Sequence, residues 1–64
     1  MKDFVERLIV ERNELTEKIE KLSAFMDSDK FKELTCEHKS LLSGQMYHMV
    51  KYRDILISRI GLSV

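Results

Sequence analysis

Cys36, His38 and His48 are the residues of this chain with the most reactive side chains, and their spacing limits what they can do. A cysteine nucleophile needs an imidazole within hydrogen-bond reach. Cys36 and His38 are two apart at a predicted helix start, so they lie on different faces. Structural zinc takes four ligands at characteristic intervals, and these three residues do not supply them. No glycine-rich phosphate loop is present. No catalytic or metal constellation emerges, no cofactor is expected, and the chain reads as a non-enzyme.

Cations and rings are the other groups able to do chemistry. Arg12 and Arg53 each stand on an otherwise apolar helix stripe. Their stems could cover apolar surface while the heads reach water or a carboxylate such as Glu11 or Asp54. Alternatively, the heads converge on an anion at a subunit interface, where a fork of five donors suits phosphate. Phe25 and Phe31 read as core. Phe4 sits where the chain would fray unless another subunit covers it, and an exposed ring near arginines is what a stacked base with its phosphate requires. Tyr47–Lys51 and His48–Tyr52 are pairs four apart on the less apolar face of the last helix, and they read as solvated contacts.

The elements that must position these groups are two long amphipathic stretches, 2–26 and 36–60, with a short helix expected at 29–34. Met1, Val5, Leu8, Arg12, Leu15, Ile19, Leu22 and Met26 alternate steps of four and three, a heptad seam. Phe4, Ile9, Val10 and Phe25 widen it. Leu42, Met46, Met49, Arg53, Leu56 and Ile60 repeat the spacing, broadened by Leu41, Val50, Ile55 and Ile57. Asp3–Arg7, Glu14–Lys18 and Glu17–Lys21 are acid-before-base pairs on the outer face of the first helix. Ser28 and Thr35 read as caps of the second and third helices. Phe31 and Leu34 are spaced to drop onto the end of the hairpin. Gly44 beside Ser43 suggests a close helix approach, and Gly61 a C-terminal stop before a tail of Leu62, Ser63 and Val64. The fold class is all-α: one domain over 1–64, an antiparallel helical hairpin of two long helices and a short connecting helix.

A single domain of 64 residues buries only about 60% of its unfolded surface and is marginal alone. One cysteine excludes an internal disulfide and fits a reducing compartment, so homo-oligomerisation is the expected remedy. There is no apolar run of membrane-span length and no signal pattern, so no membrane association is expected. Net charge is zero but uneven: residues 1–27 hold seven acids against five bases, and residues 28–64 four against six. The C-terminal helix is therefore the more anion-friendly surface, and no polymeric nucleic acid is expected as a partner.

The aromatic-x-x-Arg opening (Phe4 to Arg7), the KLxxFxxSDKFxxL segment (Lys21 to Leu34) and the MxxYxxILxxRI ending (Met49 to Ile60) resemble, in that order, a family of small phage proteins. These are helical-hairpin proteins that include the anti-CBASS cyclic-nucleotide sponge and share a hairpin domain with an anti-Thoeris sponge. The resemblance spans nearly the whole chain. It implies a hexameric, non-catalytic trap in the cytoplasm of the infected bacterium, with separate pockets for cyclic dinucleotides such as 3′,3′-cGAMP and for cyclic trinucleotides. It further implies that Phe4, commonly tyrosine in relatives, stacks on a base while Lys18 pairs with phosphate, with Lys21 and Arg12 as competitors for that role. Arg59 matches the arginine of the trinucleotide pocket. The alternative reading is a protein-interaction module, a hairpin whose broad apolar surface docks on a host or phage protein and inhibits or scaffolds it. A phosphodiesterase lacks the metal ligands or bases it would need.

Overall fold

Apolar steps of three and four repeat along both long segments, and each segment folds as one uninterrupted helix with that stripe turned toward the other. The computed structural model describes residues 2–63, without the Lys2 side chain. Helix α1 runs Lys2–Met26, α2 Asp29–Lys32 and α3 Cys36–Ser63. No strand occurs among the described residues. Arg59, near the end of α3, lies over Phe4, near the start of α1, so the long helices are antiparallel. The molecule measures 47 × 15 × 12 Å, the thickness of a single helix pair.

The two heptad seams are the surfaces that the helices hide. On α1, Leu8, Leu15 and Ile19 are buried, and Val5, Arg12, Leu22 and Met26 are half-buried. On α3, Leu56 is fully enclosed at 0% exposure, and Leu42, Met46, Met49, Arg53 and Ile60 are half-buried. Met1 lies outside the described residues. The core is therefore one line of side chains with Met46, Met49, Val50 and Ile60 packed along it. Most residues expected to widen the stripes remain at the surface: Phe4, Val10, Leu41, Ile55 and Ile57 are exposed. A two-helix layer has no third element to cover them.

The connector follows local capping chemistry. Ser28 caps α2, its hydroxyl accepting from the Phe31 N–H at 3.4 Å. Thr35 Oγ1 accepts from the His38 N–H at 3.1 Å and caps α3. Helix α2 ends at Lys32, two residues earlier than expected. The Glu33 N–H closes onto Lys30 at 3.2 Å and the Leu34 N–H onto Phe31 at 3.1 Å, three-residue bonds that tighten and end the turn. Phe31 and Leu34 are half-buried at this end, and Phe31 meets Phe25 edge-on with centroids 6.2 Å apart.

Three expectations about the surface are corrected. Gly61 does not stop α3, which continues to Ser63. No glycine adopts the positive φ that a left-handed cap needs, and the Ser63 hydroxyl donates to the Arg59 carbonyl at 2.8 Å within the last turn. Gly44 does not mark a close approach within the hairpin, because a Cβ built there meets nothing within 4 Å. The Asp3–Arg7, Glu14–Lys18 and Glu17–Lys21 pairs are not closed; among the described residues the ion pair that forms is Lys32–Asp29 at 3.7 Å. Exposed pairs gain about 0–1 kcal/mol against the loss of side-chain freedom, so open geometries win.

Two substitutions test this packing in urea denaturation. Leu56→Ala removes the one fully enclosed side chain among the described residues and is expected to cost about 2–5 kcal/mol; a loss near zero would place the core elsewhere. Gly44→Ala is expected to add up to about 1 kcal/mol, since helix propensity rises without a clash. A fall in stability instead would reveal another chain's backbone against Gly44.

Candidate functional site

The open end of the hairpin, opposite the connector, brings an aromatic ring and two cations into one neighbourhood. Phe4 stands in the first turn of α1 and is 49% exposed. The Arg59 guanidinium carbon lies 5.7 Å from its ring centroid, within cation–π range. Arg7, exposed on α1, is three residues from Phe4 and so its neighbour on the helix surface. A planar guanidinium over a ring leaves part of that ring free, with further donors beside it. That set of groups can accept a flat base and an attached anion.

The remaining predicted residues lie apart from this end. Lys18 and Lys21 are exposed in the second half of α1, and the fourteen residues from Phe4 to Lys18 span about 21 Å of helix. One small ligand cannot touch both Phe4 and Lys18 of the same chain. Arg12 is half-buried on the seam, with Nε and Nη2 donating to Asn13 Oδ1 at 3.2 and 3.0 Å. Neither Glu11 nor Asp54 pairs with a seam arginine. The hairpin therefore sets Arg59 against Phe4, leaves Arg7 beside Phe4 on α1 but among the carboxylates of the outer face, and leaves Arg12, Lys18 and Lys21 elsewhere. Phe4 and Arg59 are two residues that the family resemblance assigns to different pockets.

Counting outward from the connector on both helices would have placed Phe4 opposite Arg59, because antiparallel helices pair residues equidistant from their turn. Composition and periodicity along each helix alone do not reveal that pairing. Farther along α3, the Lys51 ammonium sits 5.5 Å from the Tyr47 ring centroid, and Tyr47 meets His48 edge-on at 5.3 Å. These are exposed contacts on the outer face.

Two open depressions are poor hosts for an anion or a metal. One, of about 410 Å³, follows the outer face of α1 along Asp3, Glu6, Arg7, Val10, Glu11 and Glu14. Four carboxylates around a single cation repel phosphate. The other, of about 480 Å³, is lined by Cys36, Glu37, Ser40 and Leu41. Cys36 there is a free, exposed thiol, and among the described residues no three His, Cys, Asp or Glu side chains come together to hold a metal ion.

A slender antiparallel helix pair with an exposed ring and a cation at its open end defines a class of small all-helical hairpin proteins. The family model described as Sequestin matches residues 2–62, and the chain belongs to the Sequestin family. That family name denotes sequestration, meaning binding and holding rather than conversion. No curated protein and no solved structure matches the chain. Among the described residues no helix is long and apolar enough to cross a membrane.

The Phe4–Arg59 contact is measurable before any ligand is known. A double-mutant cycle with Phe4→Leu and Arg59→Gln, read by urea denaturation, is expected to give a coupling of about 0.5–1 kcal/mol. A coupling of zero would mean that the two ends of the hairpin do not meet in this register.

Proposed function

We propose that this chain sequesters cyclic oligonucleotide second messengers without cleaving them. Its ligands are cyclic dinucleotides such as 3′,3′-cGAMP, with cyclic trinucleotides as further ligands. In this reading it is a phage anti-defence protein that blocks CBASS-type immune signalling in the cytoplasm of the infected bacterial host. The observation that carries the reading is the exposed Phe4 ring under the Arg59 guanidinium, in a chain of a sequestering family. Each stacked base contributes about 1–3 kcal/mol and each charge-assisted hydrogen bond about 1.5–3 kcal/mol. Two of each reach the affinity of a stoichiometric trap after ordering losses. A trap acts by lowering free messenger, so it needs no turnover and no catalytic group.

The working form in this proposal is a homo-oligomer, a hexamer. Leu41, His48, Tyr52, Ile55, Arg59 and Leu62 follow one another along α3 at steps that place them on one side of the helix. Of these, Leu41, Tyr52, Ile55 and Leu62 are exposed apolar or aromatic residues. Copies packed on that strip would wall the Phe4–Arg59 end. Phe4 and Lys18 also share one line of α1 at steps of seven, so a neighbouring copy running the other way supplies the lysine that the same chain cannot. Each half of a two-fold ligand then meets one ring and one cation. The exposed strip is also what favours the second reading, an interaction module that docks on a host or phage protein.

Calorimetry of the purified chain against cyclic dinucleotides, cyclic trinucleotides and single-base cyclic nucleotides closed by a pyrophosphate tests the proposal. We expect saturable binding, with the ligand recovered intact on denaturation. Phe4→Ala is expected to weaken it about 5- to 150-fold, the loss of one stack. Refusal of the whole panel would remove the sponge reading and leave the interaction module. Preference for the pyrophosphate-closed class would keep the trap and replace the messenger.

A further inference from the structure

Arg12 and Arg53 remain unexplained by the ligand site at the open end. Phe4 against Arg59 sets the register of the hairpin, and Leu8 and Leu56 belong to one buried cluster. From that cluster, Arg12 is four residues onward on α1 and Arg53 three residues back on α3. These steps advance about 6 and about 4.5 Å along the two axes, so the two arginines reach the same level of the seam. Both are half-buried. Two like charges thus leave the packed helices at one level, with the Arg12 guanidinium bonded at the exposed edge to Asn13 and the Arg53 Nε within the buried layer.

No carboxylate answers them. Among the described residues neither arginine has an acid within ion-pair distance, although Glu11 and Asp54 adjoin them in sequence. Arg12 uses Nε and Nη2 on the neutral Asn13 amide oxygen. Arg53 Nε is buried and has no hydrogen-bond partner. A buried donor without an acceptor in its own chain is rare in folded proteins and calls for a partner, an ordered water or an ion. The half-buried apolar residues Ile9, Met49 and Val50 belong to the same stretch of the hairpin, a setting that strengthens a charge-assisted bond to an anion.

We infer that Arg12 and Arg53 together hold a small oxyanion of the phosphate class in the hairpin seam, at a site separate from the Phe4–Arg59 end. Two planar forks of donors match the tetrahedral oxygens of phosphate. One anion offsets the repulsion between the two cations and accepts from the orphaned Nε–H. The site couples anion binding to hairpin stability, because the anion bridges the two long helices.

The test uses the full chain in phosphate-free buffer, with inorganic phosphate and pyrophosphate added at constant ionic strength. The side-chain Nε–H resonance of Arg53 is followed by NMR together with the melting temperature. We expect the resonance to shift saturably and the melting temperature to rise by several degrees. The rise should persist in Phe4→Ala and vanish in Arg12→Gln and in Arg53→Gln. The double substitution Arg12→Met with Arg53→Met should fold, melt higher than the wild type without phosphate, and ignore added phosphate. An unmoved Arg53 resonance, or a melting response that survives both glutamine variants or is lost with Phe4→Ala, overturns the inference. If a glutamine variant fails to fold, the wild-type resonance decides alone. Because the probes are free phosphates, refusal of every cyclic nucleotide leaves this result standing.

Discussion

Two helices can hide only the surfaces that they turn toward each other, and the rest of this molecule follows from that limit. The line of contact encloses Leu8, Leu15, Ile19 and Leu56, while Leu41, Ile55, Ile57 and Leu62 on α3 stay exposed. Burial is worth about 25 cal/mol per Å² of apolar area, and a core one side chain wide gathers little of it. In the proposed oligomer, further stability comes from the apolar strip that α3 presents to other copies. The same limit keeps the candidate site at the open end, where the two chain segments meet and side chains from both helices can be combined.

Electrostatics then sorts those exposed surfaces. The outer face of α1 carries Asp3, Glu6, Glu11 and Glu14 around Arg7, which disfavours anions despite its open depression. The end bearing Phe4 and Arg59 combines a ring with a cation. The seam holds two arginines with no acid partner among the described residues. A chain of zero net charge can thus recognise anions by placement rather than by bulk charge. Membership of the Sequestin family gives that placement its functional sense: a binder that holds its ligand.

Much of the fold was legible in the heptad spacing. Every seam residue from Val5 to Met26 and from Leu42 to Ile60 is buried or half-buried, and Ser28 and Thr35 cap as their side chains allow. What escaped the sequence was context. Gly61 stops a helix only if its φ turns positive, and it does not. Gly44 is small without a neighbour to accommodate. Acid–base pairs four apart stay open because exposed charges gain little by closing. The candidate-site residues stand out in the sequence as types, a ring and several cations, but the contact between Phe4 and Arg59 depends on hairpin register, which single-helix periodicity does not encode. The separation of Lys18 from Phe4 was obscured for the same reason: sharing a face says nothing about distance along the axis.

Sedimentation equilibrium over a wide dilution series tests most directly whether the exposed apolar strip of α3 makes this hairpin a part rather than a whole. A stable integral multiple of the 7.6 kDa chain mass is expected, six copies in number, persisting to low concentration. A folded species of single-chain mass throughout the series would contradict it.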